Sequence, residues 1–169
     1  MTTHDPGTKI YSYPHDKTQK NSDNEIIASV REYISDTDAD ILVERDQYGK
    51  PYIVGIDGIY VGVAHDKDLC LVAVAQRDIG IDIERADRKV RNAAALARRY
   101  FCEDEIAFLG DDPSDEEFTD MWVKKEALSK LLGKGVPCMK EKSVFSDDVI
   151  FMRNRNYDGY ISYCVYYKE

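Results

Sequence analysis

The segment Ile79–Glu84 alternates isoleucines with a glycine and two carboxylates, Asp82 and Glu84. Because successive side chains of a strand point to opposite faces, this spacing predicts a strand with Ile81 and Ile83 on an apolar face and both carboxylates on the other. Carboxylates this close repel each other unless a cation lies between them, and Mg²⁺ prefers such oxygen ligands. An edge strand with an acidic solvent face produces the same pattern, and the spacing by itself favours that simpler interpretation.

The chain around this segment predicts an α+β fold of two halves, each pairing helices with a small antiparallel sheet. Alternating apolar residues and intervening turns predict strands at 52–56, 59–64, 69–75 and 79–84, with residues 65–68 as a hairpin connection. Helices are expected at 24–34, 88–100, 103–109 and 115–132, and strands at 143–145, 149–152 and 160–166. The predicted domains are residues 1–78 and 79–169.

Composition argues against several classes of protein. A net charge of −9 over 169 residues argues against a nucleic-acid-binding surface, since phosphate contacts need basic side chains. The four cysteines are far apart and form no C-x-x-C pair, so neither a zinc site nor a disulfide framework is expected. No apolar stretch is long enough for a signal-peptide core or a membrane span, which predicts a cytoplasmic protein without a membrane partner.

The segment 114–133 predicts a helix, with a Ser-Glu capping box at its start and a glycine terminator at its end. On this helix Trp122, Glu126 and Lys130 are spaced four residues apart and lie along one stripe. A surface ion pair between Glu126 and Lys130, with Trp122 as a core anchor, explains the spacing without any function. A third carboxylate and a cation near the Asp-x-Glu strand would instead suit metal-assisted phosphoryl chemistry.

Three segments in this order, residues 79–84, 100–105 and 122–135, resemble the 4′-phosphopantetheinyl transferases of the Sfp type. The family patterns are (V/I)-G-(V/I)-D-(I/L)-E, then F-F-S-x-x-E, then W-(S/T)-x-K-E-A-x-x-K-x-x-G-x-G-(L/F). The first pattern is matched completely. The third is matched nearly so, with Val123 in place of Ser or Thr and Val136 in place of the final residue.

The resemblance implies an enzyme of two AcpS-like lobes related by a pseudo-twofold axis, with coenzyme A and Mg²⁺ in the cleft between them. Such an enzyme moves phosphopantetheine from coenzyme A to a serine of an apo acyl or peptidyl carrier protein. The implied metal ligands are Asp82, Glu84 and Glu126, and the implied catalytic residues are Asp82, Glu105, Glu126 and Lys130, with Glu126 as the base. We expect a monomer with neither nucleic acid nor membrane as partner.

The resemblance also implies coenzyme A contacts at Gly49, Lys50, Pro51, His65, Trp122, Lys125 and Lys130. The Gly-Lys-Pro turn would border the adenine, and His65 would meet the 3′-phosphate. The two helix lysines would contact phosphates, and Trp122 would line the pantetheine channel. Lys17 and Lys20 match the family's N-terminal basic residues only loosely, and a solvated loop also explains them.

Glu105 has two interpretations. With Cys102 at the N-cap position, it occupies the N3 position of a capping box, although Cys is a poorer cap than the family's Ser. The spacing of the family pattern equally supports a role in positioning the active site. Both interpretations remain open at the level of the sequence.

Residues 61–66, Val-Gly-Val-Ala-His-Asp, depart from the family pattern (F/W)-N-x-S-H-S. Gly62, Ala64 and Asp66 replace an amide and two hydroxyls, which should weaken a phosphate site around His65. This departure motivates an alternative: a catalytically impaired homologue that binds coenzyme A or a carrier protein without transfer. A different Mg²⁺-dependent phosphotransferase is a third hypothesis, although the chain lacks a G-x-x-x-x-G-K-(S/T) loop.

Overall fold

The computed structural model describes residues 7–15 and 22–168, so Lys17 and Lys20 lie outside the described residues. The chain divides after Ile79 into two compact units. Both contain small antiparallel sheets and helices, which confirms the predicted α+β class. In the described part of the chain, no helix is long and apolar enough to cross a membrane.

The first unit pairs a three-stranded sheet with one helix and a hairpin. Its described elements are β1 (Thr8–Pro14), α1 (Asp23–Ile34), β2 (Leu42–Arg45), β3 (Pro51–Val54), β4 (Tyr60–Asp66) and β5 (Leu69–Ala75). The sheet has the antiparallel order β1-β5-β4, and β2 pairs with β3. Helix α1 buries Ile26 and Val30 in a core shared with Val72 and Val74 of the central strand.

The hairpin between β4 and β5 is shorter than predicted. His65 pairs with Cys70 and Asp66 with Leu69, so His65 lies in β4 and not in the connecting turn. Lys67 has a φ of 43°, the left-handed conformation that a two-residue hairpin turn requires. The strand therefore continues to the turn although its last residues are polar.

The second unit contains the remaining elements. These are β6 (Gly80–Arg85), α2 (Ala93–Tyr100), α3 (Glu103–Leu109), α4 (Asp115–Leu132), a 3-10 helix (Val136–Glu141), β7 (Val149–Arg153) and β8 (Tyr160–Tyr167). The antiparallel sheet has the order β6-β8-β7, and α4 packs on β6 and β8. Phe101, Phe118 and Leu128 lie in the core of this unit.

Helix α4 has the ends that its sequence predicts. The Ser114 hydroxyl accepts a hydrogen bond from the Glu117 amide at 3.2 Å, and the Glu117 carboxylate accepts one from the Ser114 amide at 2.9 Å. Gly133 follows the helix with a φ of 68°. The strand predicted at 143–145 is wrong, because these residues form a turn in which the Val144 amide donates to Glu105.

Candidate active site

Strand β6 and helix α4 approach each other at Gly80 so closely that no side chain fits between them. A Cβ atom at this position would overlap the carbonyl oxygen of Ala127 and lie 2.7 Å from the amide nitrogen of Leu131. Side chains at alternate positions share one face of a strand, so the face that carries Asp82 and Glu84 is directed toward α4. The acidic face is therefore covered by a helix, which contradicts the interpretation as an acidic solvent face.

Asp82 lies at the centre of this packed region with only 7% of its surface exposed. Its Oδ1 accepts a hydrogen bond from Lys130 Nζ at 2.8 Å. Its Oδ2 is buried and has no hydrogen-bond partner within the described residues. Burial raises the pKa of Asp82, and the charges of Lys130 and Arg88 oppose that rise.

Glu126 lies on α4 near this carboxylate, with its side chain partly buried. Burial raises the pKa of Glu126, and the negative charge of Asp82 raises it further. The charges of Lys130 and Arg88 act in the opposite direction. Two mutually repelling carboxylates, one with a buried oxygen lacking a partner, form a donor set that fits a hard divalent cation.

The Glu84 carboxylate differs from Asp82 and Glu126 in that it contacts an arginine. Its Oε1 lies 2.7 Å from a guanidinium nitrogen of Arg88, and the Arg88 guanidinium lies over the ring of Trp122 at 5.6 Å. Among residues 7–15 and 22–168, no three His, Cys, Asp or Glu side chains are grouped closely enough to hold a metal ion. Asp82 and Glu126 act on each other's charge, whereas the Glu84 carboxylate is paired with an arginine, and the three-ligand metal site stays a prediction.

Sequence reasoning missed Arg88. The residue lies in the loop between β6 and α2, four positions after Glu84. An acid and a base four residues apart indicate contact only within a helix, where they lie on one face. The ion pair depends on the course of the loop, and no pattern in the sequence indicated it.

The two helix lysines have different environments. Lys130 is one-third exposed and reaches Asp82, so its amine can still meet an anion. Lys125 is only 1% exposed, donates to the Lys142 carbonyl at 2.8 Å and pairs with Glu105. Because its charge is buried and already compensated inside the unit, these contacts argue against the predicted contact of Lys125 with a coenzyme A phosphate, which stays a prediction.

Glu105 is fully buried, which separates its two interpretations. Its carboxylate accepts hydrogen bonds from the Cys102 amide at 2.7 Å, the Val144 amide at 2.6 Å and Lys125 Nζ at 2.9 Å. The capping-box interpretation is confirmed. A catalytic role in contact with substrate is contradicted by this burial, and Glu105 acts as a positioning residue that joins the start of α3 to α4.

Trp122 lies in an aromatic cluster. Its ring centroid is 5.6 Å from that of Tyr100, 5.8 Å from Phe118 and 6.2 Å from Phe101. These contacts anchor α4 to α2 and to the segment that precedes α3, in agreement with the anchoring role considered for Trp122. Its predicted place in a pantetheine channel stays a prediction.

The coenzyme A contacts predicted in the first unit lie in two places. Gly49 is in the β2–β3 turn with a φ of 88°, and Lys50 Nζ pairs with Asp78 at 2.7 Å. A cavity of about 320 Å³, lined in part by Lys50, Pro51 and Asp78, opens beside this turn. His65 is exposed, and its ring centroid lies 4.5 Å from that of His15, which sequence reasoning also missed.

Comparison with known proteins adds an independent observation. A family model described as the 4′-phosphopantetheinyl transferase superfamily matches residues 78–169, which include β6, α4 and the whole second unit up to the C-terminus. The match therefore contains Asp82, Glu84, Glu126 and Lys130.

Curated relatives agree with this match. The chain is 33% identical over 99 residues to the 4′-phosphopantetheinyl transferase psf-1 of Bacillus pumilus, covering 57% of this chain and 41% of that protein. It is 30% identical over 101 residues to the 4′-phosphopantetheinyl transferase Sfp of Bacillus subtilis, covering 58% and 44%. A holo-[acyl-carrier-protein] synthase of Campylobacter curvus is 40% identical over 62 residues, covering 34% and 52%.

The chain spans less than half the length of the two Bacillus transferases that it matches. The family model, by contrast, accounts for more than half of the residues of this chain. The chain belongs to the 4′-phosphopantetheinyl transferase superfamily.

Proposed function

We propose that this protein is a Mg²⁺-dependent 4′-phosphopantetheinyl transferase that modifies a serine of an apo acyl or peptidyl carrier protein with phosphopantetheine from coenzyme A. The observation that carries the proposal is the pair of carboxylates formed by buried Asp82 and partly buried Glu126, in which Asp82 Oδ2 has no partner within the described residues. The activities for which the relatives are named, 4′-phosphopantetheinyl transferase and holo-[acyl-carrier-protein] synthase, support the same activity here.

Asp82 and Glu126 would hold Mg²⁺, joined by Glu84 once its carboxylate is released. When bound, the cation would supply charge neutralisation at the pyrophosphate of coenzyme A. Lys130, which is partly exposed, would bind a phosphate oxygen while keeping Asp82 in place. Glu126 would accept the proton of the attacking serine hydroxyl.

In the first unit, we assign coenzyme A contacts to Gly49, Lys50, Pro51 and His65. The cavity beside Lys50 and the exposure of His65 support this assignment. The pseudo-twofold relation of two AcpS-like lobes, the cytoplasmic location and the monomeric state remain predictions.

The decisive experiment is to incubate the protein with coenzyme A, Mg²⁺ and a panel of apo carrier proteins, and to follow the mass of each carrier. We expect the mass of one phosphopantetheine on a serine, and no product with Asp82→Asn or Glu126→Gln. Asp148→Asn, which changes an exposed carboxylate of the same unit, is the control that should retain transfer. Transfer by both site variants would contradict the proposal.

The same experiment tests the alternative without catalysis. The altered segment around His65, with Gly62, Ala64 and Asp66, is the feature that favours it. If the wild-type protein bound coenzyme A tightly but formed no product on any carrier of the panel, the result would favour a binding protein over an enzyme.

A further inference from the structure

One arginine acts on all three predicted metal ligands. Glu84 Oε1 lies 2.7 Å from an Arg88 guanidinium nitrogen, and both side chains are only partly exposed. Arg88 is also close enough to oppose the raised pKa values of Asp82 and Glu126. A positive charge therefore already lies beside these carboxylates.

We propose that Arg88 is a substitute cation in the metal-free protein, and that Glu84 exchanges Arg88 for the divalent cation when the cation binds. The inference rests on the proposed function, since it takes Asp82, Glu84 and Glu126 as metal ligands. The inference assigns a role to Arg88, which lies outside the family motifs. The first motif ends at Glu84, and the second begins at residue 100.

The charge balance of the cluster provides the physical reason. Lys130 contacts Asp82 and Arg88 contacts Glu84, so two of the three carboxylates already face a cation. A divalent cation would add two positive charges beside these side chains, and release of Arg88 would remove one. Repulsion between like charges is strong in a partly buried site, so one of the two side chains should leave.

Arg88 is better placed to leave than Lys130. It is on the loop that follows β6, whereas Lys130 is on α4, whose backbone contacts Gly80. The Ala86 amide donates to the Gly159 carbonyl at 2.9 Å, and the Val90 amide donates to Asp115 Oδ1 at 3.0 Å. These bonds hold the loop on both sides of Arg88, and rotation of the side chain alone suffices to release Glu84.

The protein contains its own reporter for this exchange. The guanidinium carbon of Arg88 lies 5.6 Å from the ring centroid of Trp122, the single tryptophan of the chain. Departure of a cation from the face of an indole changes the electrostatic environment of the fluorophore. Trp122 fluorescence should therefore change when the metal displaces Arg88.

The first test is a titration of the metal-free, full-length protein with Mg²⁺, followed by tryptophan fluorescence and by calorimetry. We expect a saturable fluorescence change at the Mg²⁺ concentration where calorimetry detects binding. Arg88→Met should still bind Mg²⁺ but lose the fluorescence change. Arg85→Met is the matched control that should retain it, since Arg85 pairs with Asp87 at 2.9 Å and lies over the Tyr160 ring.

The second test is a double-mutant cycle on Mg²⁺ affinity. Arg88→Met should tighten binding roughly fivefold, because Glu84 no longer gives up an ion pair. In a Glu84→Gln background the same substitution should leave the affinity unchanged. An equal gain in both backgrounds would mean simple repulsion between Arg88 and the metal, and would overturn the exchange.

The outcomes separate this inference from the proposed function. Absence of Mg²⁺ binding by the wild-type protein in calorimetry would overturn both. Mg²⁺ binding with a fluorescence change that persists in Arg88→Met, or with no change in the wild-type protein, would overturn the exchange and leave the proposed transferase intact.

Discussion

At Asp82 the two oxygens of one carboxylate have different environments. Oδ1 accepts a hydrogen bond from Lys130 at 2.8 Å, whereas Oδ2 is buried without a partner in the described part of the chain. A buried polar atom without a partner destabilises the folded state. The fold therefore retains a residue that costs stability, as is common where a site serves function.

Replacing Asp82 by Asn should stabilise the metal-free protein at neutral pH by about 1 kcal/mol, because the buried negative charge is removed. The pKa of Asp82 is raised in the folded state, so this state binds more protons than the unfolded chain between the two pKa values. The free energy of unfolding of the wild-type protein thus falls as pH rises through that window. The advantage of the Asp82→Asn variant should disappear below the pKa of an unfolded carboxyl group.

Urea unfolding in EDTA, at neutral and at acidic pH, measures this difference. Asp148→Asn is the control, since Asp148 is an exposed carboxylate paired with Lys142. If the Asp82→Asn variant were less stable than the wild-type protein at neutral pH, the burial cost assigned to the Asp82 charge would be contradicted.

For the buried Lys125–Glu105 pair we expect the opposite effect, a loss of stability when one charge is removed. Lys125→Met should lower the free energy of unfolding by about 3 kcal/mol, because the Glu105 charge stays buried without its cation. Adding Glu105→Gln should recover part of that loss. Lys134→Met, which removes an exposed lysine paired with Glu141, should have little effect. If Lys125→Met kept near-wild-type stability but bound coenzyme A more weakly, the result would instead support the predicted contact of Lys125 with a phosphate.

At the scale of elements, the site depends on how β6 lies against α4. The strand contributes Asp82 and Glu84, and the helix contributes Glu126 and Lys130. Gly80 allows the two backbones to approach within the space that a side chain would occupy. The glycine of the motif therefore determines the distance between the carboxylates of the strand and those of the helix.

Gly80→Ala should destabilise the second unit by about 3 kcal/mol, because its Cβ meets backbone atoms of α4 that cannot move independently. The same displacement should weaken Mg²⁺ binding, which calorimetry on the folded variant would measure. Gly7→Ala is a suitable control, since its Cβ would lie 3.6 Å from the Gln76 side chain, an ordinary contact. Full stability and full Mg²⁺ affinity in Gly80→Ala would refute the positioning role of this contact.

At the scale of the molecule, the predicted roles divide between the two units. The second unit contains the proposed metal ligands, and the family match from residue 78 to 169 covers it. The first unit contains the Gly-Lys-Pro turn and His65, whose coenzyme A contacts remain proposals. The predicted boundary between residues 78 and 79 and the division after Ile79 differ by one position.

Mg²⁺ should raise the unfolding temperature that Trp122 fluorescence reports, since the proposed site would bind the cation in the folded second unit and not in the unfolded chain. At a concentration of one hundred times the dissociation constant, the expected stabilisation is about 2.7 kcal/mol. Asp82→Asn should abolish the shift, and the exposed variant Asp148→Asn should retain it. An unfolding temperature that is independent of Mg²⁺ in the wild-type protein would argue against the metal site.

The local features of this protein follow directly from its sequence. The alternation at 79–84 predicted β6, the Ser114 cap and Gly133 predicted the ends of α4, and the motif spacing identified the family. Periodicity, capping and turn chemistry depend on near neighbours in the chain, which the sequence shows directly.

Which charged side chains are available to a ligand depends on packing that the sequence does not show. Lys125 and Lys130 lie five positions apart on one helix, yet the first is buried against Glu105 and the second is partly exposed beside Asp82. The pairing of Glu84 with Arg88 depends on the course of a loop. Packing of α4 on the sheet determines which face of the helix is buried. A charged side chain on that face needs an oppositely charged partner, because burying an unpaired charge is costly.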